Sequence, residues 1–115
     1  MGGAQSWEVA FHQQAHSEYS DLSDRERKAL NSAVAKLVAF GPALPYPHSS
    51  AVVAAAGLRE LRPRRGRSRW RAFYQRVGDV MVIAAVGPEA QVNQRGFAKA
   101  VAAAKIRLAE LEANS

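Results

Sequence analysis

Trp7, Val9 and Phe11 alternate with Glu8, Ala10 and His12, the period of a short strand that buries one face. From about Gln14 the period lengthens. Ala15, Tyr19 and Leu22 stand at i, i+4 and i+7 and predict a brief helix. Ser23 stands three residues before Glu26 in a capping-box pattern, and Leu30, Ala33, Val34, Leu37 and Val38 carry an apolar stripe along a second helix. Gly41-Pro42 ends it. Residues 42–57 hold three prolines and no charge, and read as an irregular connection whose apolar members pack on the core. Three strand-like runs follow, Leu58 to Arg62, Arg69 to Arg76 and Val80 to Val86, joined by turns at Pro63 to Ser68 and at Val77-Gly78-Asp79. They are expected to form an antiparallel meander. The last run is almost wholly apolar and is expected to be a central strand buried on both faces, with the two Arg-rich strands flanking it. Phe97, Val101, Ala104, Leu108 and Leu111 then predict an amphipathic closing helix.

The order is β-α-α-β-β-β-α, an α+β arrangement. At 115 residues the chain is expected to form one domain, residues 1–115. Without cysteine it has no disulfide, thiolate metal site or thiol nucleophile, which agrees with a reducing, cytoplasmic setting. No stretch approaches the ~18 apolar residues of a membrane span, and the N-terminus lacks the layout of a secretion signal. Gly2 and Ser6 satisfy a myristoylation pattern that is too loosely constrained to carry a reading.

Charge changes the picture more than composition does. The formal net charge is +6. Residues 58–76 alone carry eight Arg against Glu60, whereas residues 1–57 hold four basic and five acidic residues and residues 77–115 four of each. Guanidinium forks match phosphate oxygens, so an Arg-only cluster interleaved with Trp70, Phe73 and Tyr74 points to a phosphodiester backbone. Strand alternation sets Glu60 beside Arg62 on one face of their run, with Arg59 on the other, a carboxylate next to a guanidinium. Such a pair suits proton abstraction from an RNA 2′-hydroxyl, with Arg62 and Arg71 stabilising the phosphate; a plain salt bridge is the competing reading. Arg64, Arg65 and Arg67, in the turn, together with Arg59, Arg69 and Arg76, are candidate phosphate contacts. Aromatic residues on a strand serve the core more often than they stack on bases, so the placement of Trp70 and Tyr74 stays open. His12 and His16 are four apart, but with only Glu18 nearby no metal site is expected. His48 reads as a surface or packing residue.

The element order, the Leu58-Arg59-Glu60-Leu61-Arg62 run, Trp70-Arg71-x-x-Tyr74 and the strand ending Val86-Gly87 together resemble the RelE/ParE superfamily of bacterial toxins, in particular its HigB-like, phage-derived branch. The resemblance runs from about Trp7 to Leu111. It implies a RelE-like α+β fold, a small antiparallel sheet backed by an N-terminal helical hairpin, and a toxin of a type II toxin–antitoxin system, an endoribonuclease that cuts messenger RNA on the ribosome by activating the 2′-hydroxyl, without metal or cofactor. On that resemblance Arg62 and Arg71 match the family's phosphate-stabilising arginines, Glu60 takes a proton-transfer position, Tyr74 offers a hydroxyl and Arg95 a further charge. The implied partners are an antitoxin protein, the ribosome and messenger RNA, with no membrane. The chain departs from the family pattern at Pro88-Glu89, where a basic residue is common, and at Phe97, where a Tyr is common. A non-nucleolytic protein on the same scaffold, a gyrase poison or a basic nucleic-acid-binding or partner-binding module, is the alternative. The stripe of the closing helix is expected to serve the core first, with a homodimer contact as the lesser reading.

Overall fold

The computed structural model describes residues 6–114, so the Gly2 pattern lies outside the described residues. The elements are β1 (Glu8–Phe11), α1 (Gln13–Ser20), α2 (Asp24–Phe40), β2 (Ser49–Ala51), β3 (Arg59–Leu61), β4 (Trp70–Val77), β5 (Val80–Pro88) and α3 (Gln94–Ala113), with 3-10 turns at Gly41–Ala43 and Pro63–Gly66. The sheet order is β1-β5-β4-β3-β2. β3, β4 and β5 form the expected antiparallel meander, and the β4–β5 hairpin closes through Gly78 and Asp79 with Gly78 at a φ of +61°. β1 joins β5 in parallel, which makes the sheet mixed.

Two expectations about neighbours change. Only β4, of the two Arg-rich strands, flanks β5; its other neighbour is β1, and β3 lies beyond β4. The proline-rich connection also supplies a strand, the edge strand β2, which pairs with β3 from Ser49↔Leu61 to Ala51↔Arg59. Three small residues are too few for alternation to register in the sequence.

Both faces of the sheet are covered. Ala15, Leu22, Leu30 and Leu37 of the hairpin pack on Leu61, Ala72, Tyr74, Met81 and Ile83, while Ala100, Val101, Ala104 and Leu108 of α3 pack on Leu58, Phe73, Val82 and Ala84. The central strand is therefore buried on both faces as its composition predicts. Leu111 instead lies past the sheet and is 39% exposed. Strict alternation in β5 is broken by a bulge: Phe73 pairs with Ala85 but Tyr74 with Ile83, leaving Ala84 extra. Hence Ala84 and Ala85 both meet α3, and Val86 returns to the hairpin side.

Local signals place the helices against this sheet. His12 caps α1, its Nδ1 accepting from the Gln14 N–H at 3.1 Å, and His16 stands edge-on to the Phe11 ring. Ser23 caps α2 through the Glu26 N–H. Gly41 ends α2 at a φ of +53°, with the Trp7 ring 2.5 Å from where a Cβ would sit, so only glycine fits there.

β1 covers β5 only as far as Ile83. Beyond that point, polar backbone around the bulge is met by side chains. Glu18 Oε1 accepts from the Val86 N–H at 3.0 Å, and Arg107 Nη1 donates to the Ala84 carbonyl at 2.9 Å. The two side chains join as a bidentate pair at 3.0 and 2.9 Å, tying α1 to α3 across the end of the sheet. Arg107→Ala is expected to lower stability by about 1–3 kcal/mol by leaving these acceptors unmatched. Urea unfolding, read as a lower midpoint at unchanged slope, checks this.

Candidate nucleic-acid interface

Alternation along β4 turns Trp70, Ala72 and Tyr74 toward the helical hairpin and Arg71 and Phe73 toward α3. Arg71 thereby enters the interior, at 2% exposure. A buried guanidinium is tolerated only when its donors and its charge are matched. Nε donates to Glu60 Oε1 at 2.9 Å, Nη1 to the Ser68 and Trp70 carbonyls at 2.8 and 3.0 Å, and Nη2 to the Gly66 carbonyl at 3.2 Å. Glu89 Oε2, from just past β5, lies 3.7 Å from Nη2. Burial and then the nearby Arg62 push the Arg71 pKa below its usual value, and the hydrogen bond and charge of Glu60, with the charge of Glu89, oppose them.

Two of those acceptors, the Gly66 and Ser68 carbonyls, belong to the turn between β3 and β4, so Arg71 shapes it. Arg64 and Arg65 stand at φ of +56° and +58°, left-handed geometry that costs about 1–2 kcal/mol per non-glycine residue. Gly66 follows at +90°, where a Cβ would meet Arg62 Nη2 at 2.4 Å. The turn is also tied to α2. Ser68 Oγ donates to Glu26 Oε1 at 2.9 Å, and Arg64 Nη2 reaches the Arg25 carbonyl at 3.5 Å.

Arg62 leaves its strand with φ −116° and ψ +87°. Its Nε donates to the Pro47 carbonyl at 3.0 Å, its guanidinium lies 5.1 Å from the centre of the exposed Tyr46 ring, and Nη1 is 3.7 Å from Glu60 Oε1. Arg62 thus bridges the Glu60 group and a cleft of ≈ 800 Å³ between α2 and the turn. Arg25, Lys28 and Lys36 line one wall, Arg64, Arg65 and Arg67 the other, and Arg62 and His48 complete it. Asp24 is the sole acid in the lining, and it pairs with Arg27.

The chain matches the family described as "Phage derived protein Gp49-like (DUF891)" over residues 17–88, more than half its length. It belongs to the Gp49-like family. Among solved structures, a mutant of the E. coli toxin RelE in the free state aligns with a TM-score of 0.60 and 16% identity, over 84% of this chain and 95% of that one. The toxin chain of the intact E. coli RelBE toxin–antitoxin complex gives 0.58 and 16%, over 73% and 98%. An archaeal RelE–RelB complex from Pyrococcus horikoshii gives 0.55 and 16%, over 72% and 94%. At such identities the likeness is one of fold. The fold is that of RelE. No curated protein matches it.

The Gp49-like chain assembles part of what its sequence predicts. Glu60, Arg62 and Arg71 come together, with Glu89 as a fourth member. Tyr74 does not join them. It is 1% exposed on the opposite face of β4, its hydroxyl 2.6 Å from Ser49 Oγ, because alternation sends it toward the hairpin. Arg59 follows it, donating from Nε to Ser49 Oγ at 2.9 Å. Arg76, at the far end of β4, lies 5.0 Å from the Trp7 ring centre and donates to the Gly78 carbonyl. Arg69 and Arg95 are exposed outside the cleft lining. The aromatic residues interleaved with arginine serve the core: Phe73 and Tyr74 are buried, and Trp70 packs on the hairpin side. Phe97 meets Phe73 edge-on, with ring centres 5.4 Å apart.

Arg25, Lys28 and Lys36 were not singled out by the sequence reading, and Glu89 entered it only as a departure from the family pattern. The α2 cations stand at i, i+3 and i+11 on the helix face beside the apolar stripe, a period recognisable only once the turn is known to oppose it. Removing Arg71 leaves Glu60 and Glu89 near-buried without their shared cation. Arg71→Ala is expected to cost about 3–5 kcal/mol, as for other broken buried pairs. Chemical denaturation checks this, with the surface change Arg69→Ala expected to fall within ~0.5 kcal/mol of the parent.

Proposed function

We propose that this Gp49-like chain is the toxin of a type II toxin–antitoxin pair, a HigB-like, single-domain endoribonuclease that cuts messenger RNA on the translating ribosome in the cytoplasm. The observation that carries the reading is the meeting of Glu60 and Arg62 at the edge of the cationic cleft, with 3.7 Å between carboxylate and guanidinium. The Glu60 side chain is 14% exposed and is oriented by Arg71 Nε, so one edge of the carboxylate faces outward. In the proposed step Glu60 takes the 2′-hydroxyl proton and the 2′-oxygen attacks the adjacent phosphorus. The bond to the 5′-oxygen of the next nucleotide breaks, and that oxygen takes a proton from water. The products are a 2′,3′-cyclic phosphate and a 5′-hydroxyl end. Arg62 balances the charge that develops on the phosphoryl oxygens. Arg71, with its donors spent on protein acceptors, acts here by positioning Glu60. An antitoxin with an acidic segment complements the cleft.

One observation favours a second reading, in which the same surface binds without cutting. The Tyr74 hydroxyl is buried on Ser49, Phe97 has no hydroxyl, and Glu89 stands beside Arg71, so neither Tyr74 nor Phe97 supplies a proton to the leaving oxygen. This reading covers a gyrase poison as well as a basic binding module.

Cell-free translation with the purified chain separates the two. New 5′ ends on the messenger that depend on translating ribosomes are expected, with cleavage abolished in Arg62→Ala and lowered about 10²–10⁴-fold in Glu60→Gln. Inhibition on intact messenger, or full cleavage by Arg62→Ala, contradicts the nuclease reading.

A further inference from the structure

We propose that the groove between α2 and the Arg64–Arg67 turn is a docking site for the phosphodiester backbone of a double-stranded nucleic acid, separate from the Glu60 centre. The first support is uncompensated charge. The lining holds seven Lys and Arg against Asp24, a net +6 that equals the formal charge of the whole chain. Asp24 is already paired with Arg27, and among the described residues none of the six wall cations has a carboxylate within ion-pair distance. Cations that face one another across a cleft repel, and a polyanion between them relieves this.

The second support is shape. Arg25 to Lys36 spans eleven residues of helix, so the α2 wall is about 16 Å long at 1.5 Å per residue. A duplex carries one charge per ~1.7 Å of axis, so a wall of that length meets several phosphates at once. The opposite wall is not a passive loop. Arg64 and Arg65 are held in left-handed geometry by the Arg71 bonds to the Gly66 and Ser68 carbonyls, and Arg64 is tied to α2. Two fixed cationic rows suit a ligand whose charges run in ordered rows.

The third support is the absence of a stacking platform. Single-strand binders lay bases on exposed rings. Trp, Tyr and Phe are absent from this lining; Phe73 and Tyr74 lie in the core, and Trp70 is half-buried against it. The exposed Tyr46 ring, beside Arg62, has that guanidinium over it. A duplex keeps its bases stacked inside and offers phosphates outward, which is the chemistry this groove matches. Duplex RNA and duplex DNA share that chemistry.

Fluorescence anisotropy with the full chain tests the site, using labelled duplex RNA, duplex DNA, single-stranded RNA and poly-glutamate across a salt series. Binding is the readout, so the result stands whether or not the chain cuts RNA. At least one duplex is expected to bind tenfold or more tighter than single strand and poly-glutamate, and the arm that binds identifies the source. For about six phosphates engaged, log affinity is expected to fall with log salt at a slope near −5. Lys28→Ala with Arg65→Ala is expected to reduce that slope by about 2, whereas Lys105→Ala, exposed on α3, leaves it unchanged. The two wall residues are exposed, and circular dichroism verifies the fold of the double variant. No duplex binding, equal binding of single strand or poly-glutamate, or an unchanged slope in the double variant overturns the proposal.

Discussion

The structure around the candidate interface depends on one buried cation. Taking a guanidinium out of water costs several kcal/mol, and the cost is tolerable only because two carboxylates and three backbone carbonyls converge on Arg71. That convergence fixes more than Arg71. It draws β3 through Glu60 and the end of β5 through Glu89 toward the middle of the sheet. It also pins the carbonyls of Gly66 and Ser68, in the turn whose Arg64, Arg65 and Arg67 line the cleft opposite α2.

The same constraint leaves an arginine expected to meet phosphate with its donors turned to protein acceptors. A side chain on the central face of a sheet covered by α3 has no open approach, and the donors a phosphate would use are already bonded to protein. Positive charge available to a ligand is displaced one layer outward, to Arg62, to the turn and to α2. Arg62 connects the layers: it lies 3.7 Å from Glu60 and also lines the cleft. The chemistry of the Glu60 centre and the electrostatics of the groove are therefore adjacent but built from different residues.

Much of the fold was legible in the chain because each element carries its own period. The Ser23 cap, the Gly41 stop, the Gly78 turn and the apolar run of β5 all have local causes, and they appear where those causes act. β2 was not legible, because a three-residue edge strand is created by its partner. Nor was the phase change in β5, since Val80 to Val86 is uniformly apolar and shows no break at Ala84. The candidate site was half legible. Grouping Glu60, Arg62 and Arg71 followed from strand alternation, whereas the loss of Tyr74 to the opposite face follows from a sheet with two covered sides. With a helical layer on each face, both sides of β4 are core, and interleaved rings and arginines no longer mark one exposed surface. The α2 wall was invisible because its cations are separated in sequence from the arginine cluster and meet it through the Ser68–Glu26 and Arg64–Arg25 ties.

Membership in the Gp49-like family and the RelE fold set the frame, and the particular residues decide how it is used. The central claim is that Arg71 is an internal strut for the interface. Its most direct test is the hydrogen exchange of the Arg71 Nε–H, measured by NMR on the folded chain near neutral pH. The account predicts a resolved, slowly exchanging proton protected by Glu60, unlike that of exposed Arg69. An Arg71 Nε–H that exchanges as fast as the Arg69 signal would contradict it, because a guanidinium open to water cannot be the group that holds the turn.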